Sequence, residues 1–130
     1  TDTETDWPWY GKLAGAYFSG HPDIRKANLV VVDKSHSSTA RLPDSWIRTD
    51  EWYNFKDINQ EINILIKIDE SSYEGGTNGA NHPVAWYHTF DGGRSFYTAL
   101  GHTKESYSEK LFLQHLLGGI KWAVGEISVK

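Results

Sequence analysis

Six histidines stand in a chain of 130 residues that has no cysteine. With no thiol available, the imidazole and carboxylate groups are the first candidates for acid–base chemistry. His82 opens and His102 closes the stretch HPVAWYHTFDGGRSFYTALGHT, and His21 lies in SGHP. Imidazole titrates near neutral pH, which suits it to general acid or base work. The matching carboxylates are Asp50 and Glu51 in TDEWY. Neighbours in an extended segment point to opposite faces. These two acids therefore do not suit the paired roles needed across a glycosidic bond. One of them can instead orient a histidine or hold a substrate hydroxyl, while Asp50 can equally cap a turn. The candidate catalytic set is His102, Glu51 and Asp50. The candidate substrate ligands are His82, His21 and Arg94, with Trp52 and Tyr53 as stacking rings. Each has a plainer alternative. A loop histidine can simply be solvated, Arg94 can pair with Asp91 or Asp57 at the surface, and most aromatic rings belong in the core. His36 and His115 read as packing or surface residues.

Other chemistries are excluded by what is missing. Without cysteine there is no disulfide, no thiolate-held zinc and no thiol nucleophile. There is no G-x-S-x-G nucleophile elbow, no phosphate loop and no dinucleotide fingerprint. H-E-x-x-H and short His-x-His spacings are also absent. The sequence thus specifies no metal and no cofactor, and leaves open only a divalent ion held by histidine and carboxylate. The net charge of −4, with no basic cluster, argues against duplex nucleic acid as a partner. No run reaches the ~20 apolar residues of a membrane span. The compartment is not decided; cytoplasmic and exported locations both fit.

These groups must be positioned by regular elements. The length suits one domain, and an aromatic share of 14% offsets a modest apolar content of 38%. Asp6 as N-cap, Pro8 in the first turn and Gly20 as a stop predict a helix over about 7–18. ANLVVVD (27–33), IRTDEWYNF (47–55) and INILIKID (62–69) read as strands, the last buried. VAWYHTF and RSFYTALG flank DGG as a hairpin, with Trp86 and Phe96 mostly buried. Ser106 and Glu109 fit a capping box for a helix over about 107–123, followed by a tail, GEISVK. A helix followed by strands gives an α/β order that lacks the opening strand of a parallel sheet.

Four blocks, DWPWYGKLAGAYFSGHP, DEWYNF, HPVAWYHTFDGGRSFYTALGHTKESY and LLGGIKWAVG, resemble the ThuA-like, or trehalose-utilisation, family over nearly the whole chain. That resemblance implies a flavodoxin-like three-layer sandwich related to class I glutamine amidotransferases. It also implies that residues 1–130 form a single domain, the C-terminal portion of the family's, with the first βαβ unit absent. The amidotransferase cysteine has no counterpart here, so that chemistry is not expected. The family's shared polar positions map onto His21, Asp50, Glu51, His82, Arg94 and His102.

The resemblance implies a role in disaccharide or keto-sugar breakdown, as a carbohydrate-active hydrolase or isomerase. The partner would be a small sugar, with further domains of the same chain or a homo-oligomer also open. The alternative is a non-catalytic carbohydrate-binding or accessory module. Convergence separates the two: an enzyme needs His102 and a carboxylate within reach of one substrate atom.

Overall fold

A computed structural model describes residues 1–126. The tail expected at 125–130 falls largely outside the described residues. Five strands form one antiparallel sheet in the order β3-β2-β5-β6-β7. They are β2 (Arg25–Val31), β3 (Ser45–Asp50), β5 (Asn63–Asp69), β6 (Pro83–Phe90) and β7 (Gly93–Thr98). A small second sheet pairs β1 (Tyr17–Gly20) with β4 (Asn54–Lys56), also antiparallel. The helices are α1 (Pro8–Ala14) and α2 (Lys110–Ala123), and short 3₁₀ turns lie at Glu70–Ser72, Gly79–Asn81 and Lys104–Ser108.

The mixed helix–sheet class expected from the sequence is present. The parallel, doubly wound sheet is not formed by these residues. Adjacent parallel strands need a crossover of a dozen or more residues, usually helical. Here β2 reaches β3 through a loop with no helix, and β6 reaches β7 through Asp91 and Gly92. Both turn residues have positive φ, 51° and 75°, the conformation a two-residue hairpin turn requires.

The first helix is shorter than its apolar spacing suggested. Gly15 ends it in the left-handed conformation, φ 88°, with its N–H on the Gly11 carbonyl. A Cβ there would sit 2.9 Å from Trp86 Nε1. The close approach lets the buried Trp86 indole donate to the Ala14 carbonyl at 2.8 Å. Tyr17 and Phe18, expected on the helix, leave as β1 instead. Asp6 does not cap α1; Trp7 holds the N-cap position without a side-chain bond.

The main core gathers Leu29, Trp46, Leu65, Ile66, Val84 and Phe112, under α2 and the 33–42 loop. On the other side of the hairpin, Trp86 packs with Ala16 and Phe55. Tyr97 stacks on Trp86 with ring centroids 4.1 Å apart. Trp86 is buried as expected and Phe96 is half-buried, under α2 at Gly119.

Strand β3 alternates regularly: Ser45, Ile47 and Thr49 face outward, while Trp46, Arg48 and Asp50 face inward. The inward Arg48 is a fully buried cation. Its Nε and Nη2 donate to the two oxygens of Glu109, each at 2.8 Å. Its Nη1 donates to Asp50 Oδ2 at 3.2 Å, and its guanidinium lies over the Trp46 and Phe112 rings, 5.0 Å from each centroid. This explains why Ser106 and Glu109 do not form the expected capping box. Ser106 Oγ accepts from Arg48 Nη2, and the Glu109 carboxylate is taken by Arg48, so α2 starts without a side-chain cap.

Candidate functional site

The end of β3 brings Glu51 to the mouth of the sheet. Its neighbour Asp50 turns inward and is fully buried. Asp50 Oδ1 accepts the backbone N–H of Glu51 at 3.0 Å and of Thr103 at 3.2 Å. Its Oδ2 accepts the N–H of Gly101 at 2.8 Å, along with Arg48 Nη1 and Ser106 Oγ. Asp50 therefore ties the segment that carries Glu51 to both sides of His102. Backbone donors occupy its oxygens and no solvent reaches it. The structure thus places Asp50 behind the mouth, not among the groups that face solvent there.

Glu51 stands between two imidazoles. His102 Nδ1 lies 3.3 Å from Glu51 Oε1, and His21 Nδ1 lies 3.5 Å from Glu51 Oε2. Both distances are long for hydrogen bonds. His21 Nδ1 also donates to the Pro22 carbonyl at 2.9 Å, which leaves its Nε2 as an acceptor. The His102 and His21 side chains are 46% and 39% exposed, so both imidazoles can meet a ligand from solvent. Tyr53 borders the same place. Its ring stacks beside His21 with centroids 6.0 Å apart and meets Phe18 edge-on at 4.7 Å. Burial and the nearby Glu51 carboxylate push the Tyr53 phenol up, which keeps it a neutral donor.

The other expected ligands lie elsewhere. His82 is fully buried, not on the rim. Its Nε2 meets the Tyr53 carbonyl at 2.7 Å and its Nδ1 meets Glu70 Oε1 at 2.8 Å. The same Glu70 oxygen accepts the N–H groups of Asn78 and Gly79. His82 thus braces the 70–82 loop against the backbone of Tyr53. Trp52 is buried and donates its indole N–H to the Arg25 carbonyl at 2.8 Å, so it offers no stacking face. Arg94 sits at the start of β7, donating to the Trp122 carbonyl at 3.2 Å with its guanidinium over the Trp122 ring. Neither Asp91 nor Asp57 is its partner.

Sequence reasoning missed Phe18 and Glu70. Phe18 was assigned to the helix; the aromatic pair YF just after a glycine in GAYFSG was the available signal for a strand. Glu70 opens a polar loop and carries no spacing signal. Among the described residues, no group of three or more His, Asp or Glu side chains is placed to hold a metal ion. His21 and His102 approach different oxygens of one carboxylate and do not converge on one point.

A five-stranded antiparallel sheet under one long helix, with two imidazoles flanking a carboxylate at its mouth, defines a small mixed α/β domain with a polar site at strand ends. The chain belongs to the ThuA family: the family model described as ThuA, trehalose utilisation, matches residues 1–123. Two solved structures share the fold. One is a ThuA-like protein from Bacteroides uniformis ATCC 8492, with a TM-score of 0.77 and 23% identity over 97% of this chain and 55% of that one. The other is a ThuA-like protein from Parabacteroides merdae ATCC 43184, with a TM-score of 0.75 and 19% identity over 99% of this chain and 59% of that one. The chain thus spans little more than half the length of either. No curated protein matches it.

Proposed function

We propose that this domain acts on a small sugar, a disaccharide or keto-sugar, as a hydrolase or isomerase whose working groups are Glu51, His102 and His21. The observation that carries this reading is the meeting of two exposed imidazoles on opposite oxygens of Glu51. In this scheme Glu51 favours the Nδ1–H tautomer of His102. In a hydrolysis the outward Nε2 is then free to take a proton from the water whose oxygen bonds to the anomeric carbon as the glycosidic bond breaks, and that proton ends on the departing sugar oxygen; in an isomerisation it moves a proton from one sugar atom to another. His21 does the same from the other side or holds a second hydroxyl. The Tyr53 ring, beside Phe18, gives the apolar face of a sugar a surface to lie on. Asp50 keeps both arms in register. The family's description as trehalose utilisation supports the choice of substrate class. The flavodoxin-like sandwich of the finer fold reading would need parallel strands from outside these residues.

One observation favours the second reading, a carbohydrate-binding module. Trp7 and Trp9 stack with centroids 5.3 Å apart and remain substantially exposed. The test is to incubate the protein with trehalose and with a 3-keto-disaccharide and to follow the products by proton NMR. Turnover is expected to fall by about 10²–10⁴ in Glu51→Gln and His102→Gln. If no sugar is altered, yet binding persists and is lost in Trp7→Ala, the domain is a binding module. If Glu51→Gln turns over sugar like the wild type, the proposed site is wrong.

A further inference from the structure

Four of the six histidines are buried: His36, His82, His88 and His115. A neutral imidazole has one N–H and one bare nitrogen, so it suits one acceptor and one donor. Three of the four have such surroundings. His115 Nδ1 donates to the Ser38 carbonyl, and its Nε2 meets the Thr98 hydroxyl, which can donate. His36 Nδ1 accepts the Ser38 N–H, and among the described residues its Nε2 has no partner. His88 gives one N–H to the Leu13 carbonyl. His82 differs, because both of its nitrogens face oxygens that accept. Nε2 lies 2.7 Å from the Tyr53 carbonyl and Nδ1 lies 2.8 Å from Glu70 Oε1. A proton on Glu70 Oε1 fits poorly, since that oxygen already accepts the N–H groups of Asn78 and Gly79 at 2.7 and 2.9 Å. The Tyr73 hydroxyl, 3.4 Å from Nδ1, is long for a hydrogen bond. The other neighbour is the Phe55 ring, which is apolar and meets the imidazole edge-on.

We propose that His82 is a buried imidazolium and that its second proton sets the place of the Tyr53 and His21 side chains; this positioning role rests on the site proposed above. The Glu70 carboxylate balances the charge, and each imidazolium N–H has an acceptor, the condition under which a buried ion is tolerated. Two lines of contact lead from this pair to the site. One is direct, through the Tyr53 carbonyl. The other runs through the 70–82 loop. Asn54, next to Tyr53, binds the Gly75 carbonyl and the Thr77 N–H, each at 2.9 Å. Gly75 in turn lies so near Pro22, next to His21, that a Cβ would sit 2.6 Å from the Pro22 Cβ. His82 and Glu70 thus do for the Tyr53–His21 side of Glu51 what Asp50 does for the His102 side. Without the second proton, a bare nitrogen would face the carboxylate and the loop would lose this anchor.

Nitrogen-15 NMR of the imidazoles provides the test, at about pH 7.5, above the ordinary imidazole range. His82→Gln assigns the ring. Wild-type His82 should carry two N–H protons, and His36 and His115 one each. Glu70→Gln, which keeps the shape and removes the charge, should strip the second proton from His82. It should also weaken the Overhauser contacts from the Tyr53 ring to His21 and Phe18. Amide exchange at Gly101 and Thr103, held by Asp50, should stay unchanged, which a general loosening of the fold would not allow. Gly76→Ala, whose Cβ would lie 2.8 Å from Glu70 Oε1, should give the same pattern without altering either partner. Sugar turnover should fall about 10–10²-fold in both variants. A singly protonated His82 in the wild type overturns the proposal. So does a Glu70→Gln chain that keeps the second proton, or one that loses it with the Tyr53–His21 contacts or the turnover intact. A wild type that shows the doubly protonated ring but alters no sugar sinks only the sugar chemistry proposed above.

Discussion

Replacing Asp50 by asparagine probes the link between burial and site geometry. The two oxygens of Asp50 accept three backbone N–H groups, one guanidinium N–H and one hydroxyl, all shielded from water. Asparagine keeps one acceptor and turns the other into a donor. Whichever way the amide faces, two or three of these donors lose their partner. Each buried donor left unpaired costs about 1–3 kcal/mol. Removing one partner of a buried ion pair costs about 3–5 kcal/mol, although Arg48 keeps the Glu109 carboxylate. These ranges overlap, since they count some of the same bonds, and the expected loss is about 3–5 kcal/mol. At this chain length that lowers the thermal midpoint by roughly 10–20 °C. The assay is urea unfolding followed by tryptophan fluorescence, with the m value checked for two-state behaviour. Amide exchange at Gly101 and Thr103 should also quicken, because both lose their acceptor while the sheet persists. A loss below about 1 kcal/mol, with unchanged exchange at these two amides, would refute the assignment of Asp50 as the tie between Glu51 and His102.

Further outcomes concern packing and protonation. Gly118→Ala should destabilise by about 1–3 kcal/mol, since its methyl would press on the Ser37–Ser38 backbone; calorimetry showing no loss would mean that the 33–42 loop yields freely. Burial pushes His115 down to about 4, and His36, also buried, down to about 4. The unfolded chain therefore takes up protons on these rings between about pH 6.5 and 4 while the folded chain does not. Their contribution is full above about pH 6.5 and declines as pH falls toward 4. His115→Gln should flatten that part of the stability curve, and an unchanged acid slope in urea titrations would contradict the burial argument. Trp86→Ala should cost about 3–5 kcal/mol by chemical denaturation; a smaller loss would show that Phe55 and Tyr97 close over the gap.

The sequence by itself determined the elements whose signals are local. INILIKID and VAWYHTF have β-branched and aromatic runs long enough to be strands. DGG has the residues that accept positive φ, so the hairpin was legible, and the apolar spacing of LLGGIKWA marked α2. Family membership was also legible, because four motif blocks stand in order along the chain. Among the residues of the proposed site, Glu51, His102, His21 and Tyr53 could be named, because segment ends are places where strands deliver polar and aromatic side chains. Their convergence could not be read. It depends on Asp50 binding amides 51 and 53 positions away, and no local pattern encodes a contact at that separation.

The same reason separates the remaining cases. His82 and His102 looked alike in sequence, each at an end of the hairpin stretch, yet one is sealed behind Glu70 and the Tyr53 backbone while the other stands open. Trp52 and Tyr53 are adjacent in the link between β3 and β4, yet Trp52 is buried with its indole on the Arg25 carbonyl while the Tyr53 ring lies beside His21 and Phe18. Arg48 read as an ordinary strand residue; only the packed structure makes it the buried charge that gathers Asp50, Ser106 and Glu109. Strand direction was likewise beyond the sequence. Pairing sense depends on how loops return the chain. The link between β2 and β3 already reads as a polar loop with no helix to carry a parallel crossover, but only the strand ladder shows that the two pair directly and antiparallel.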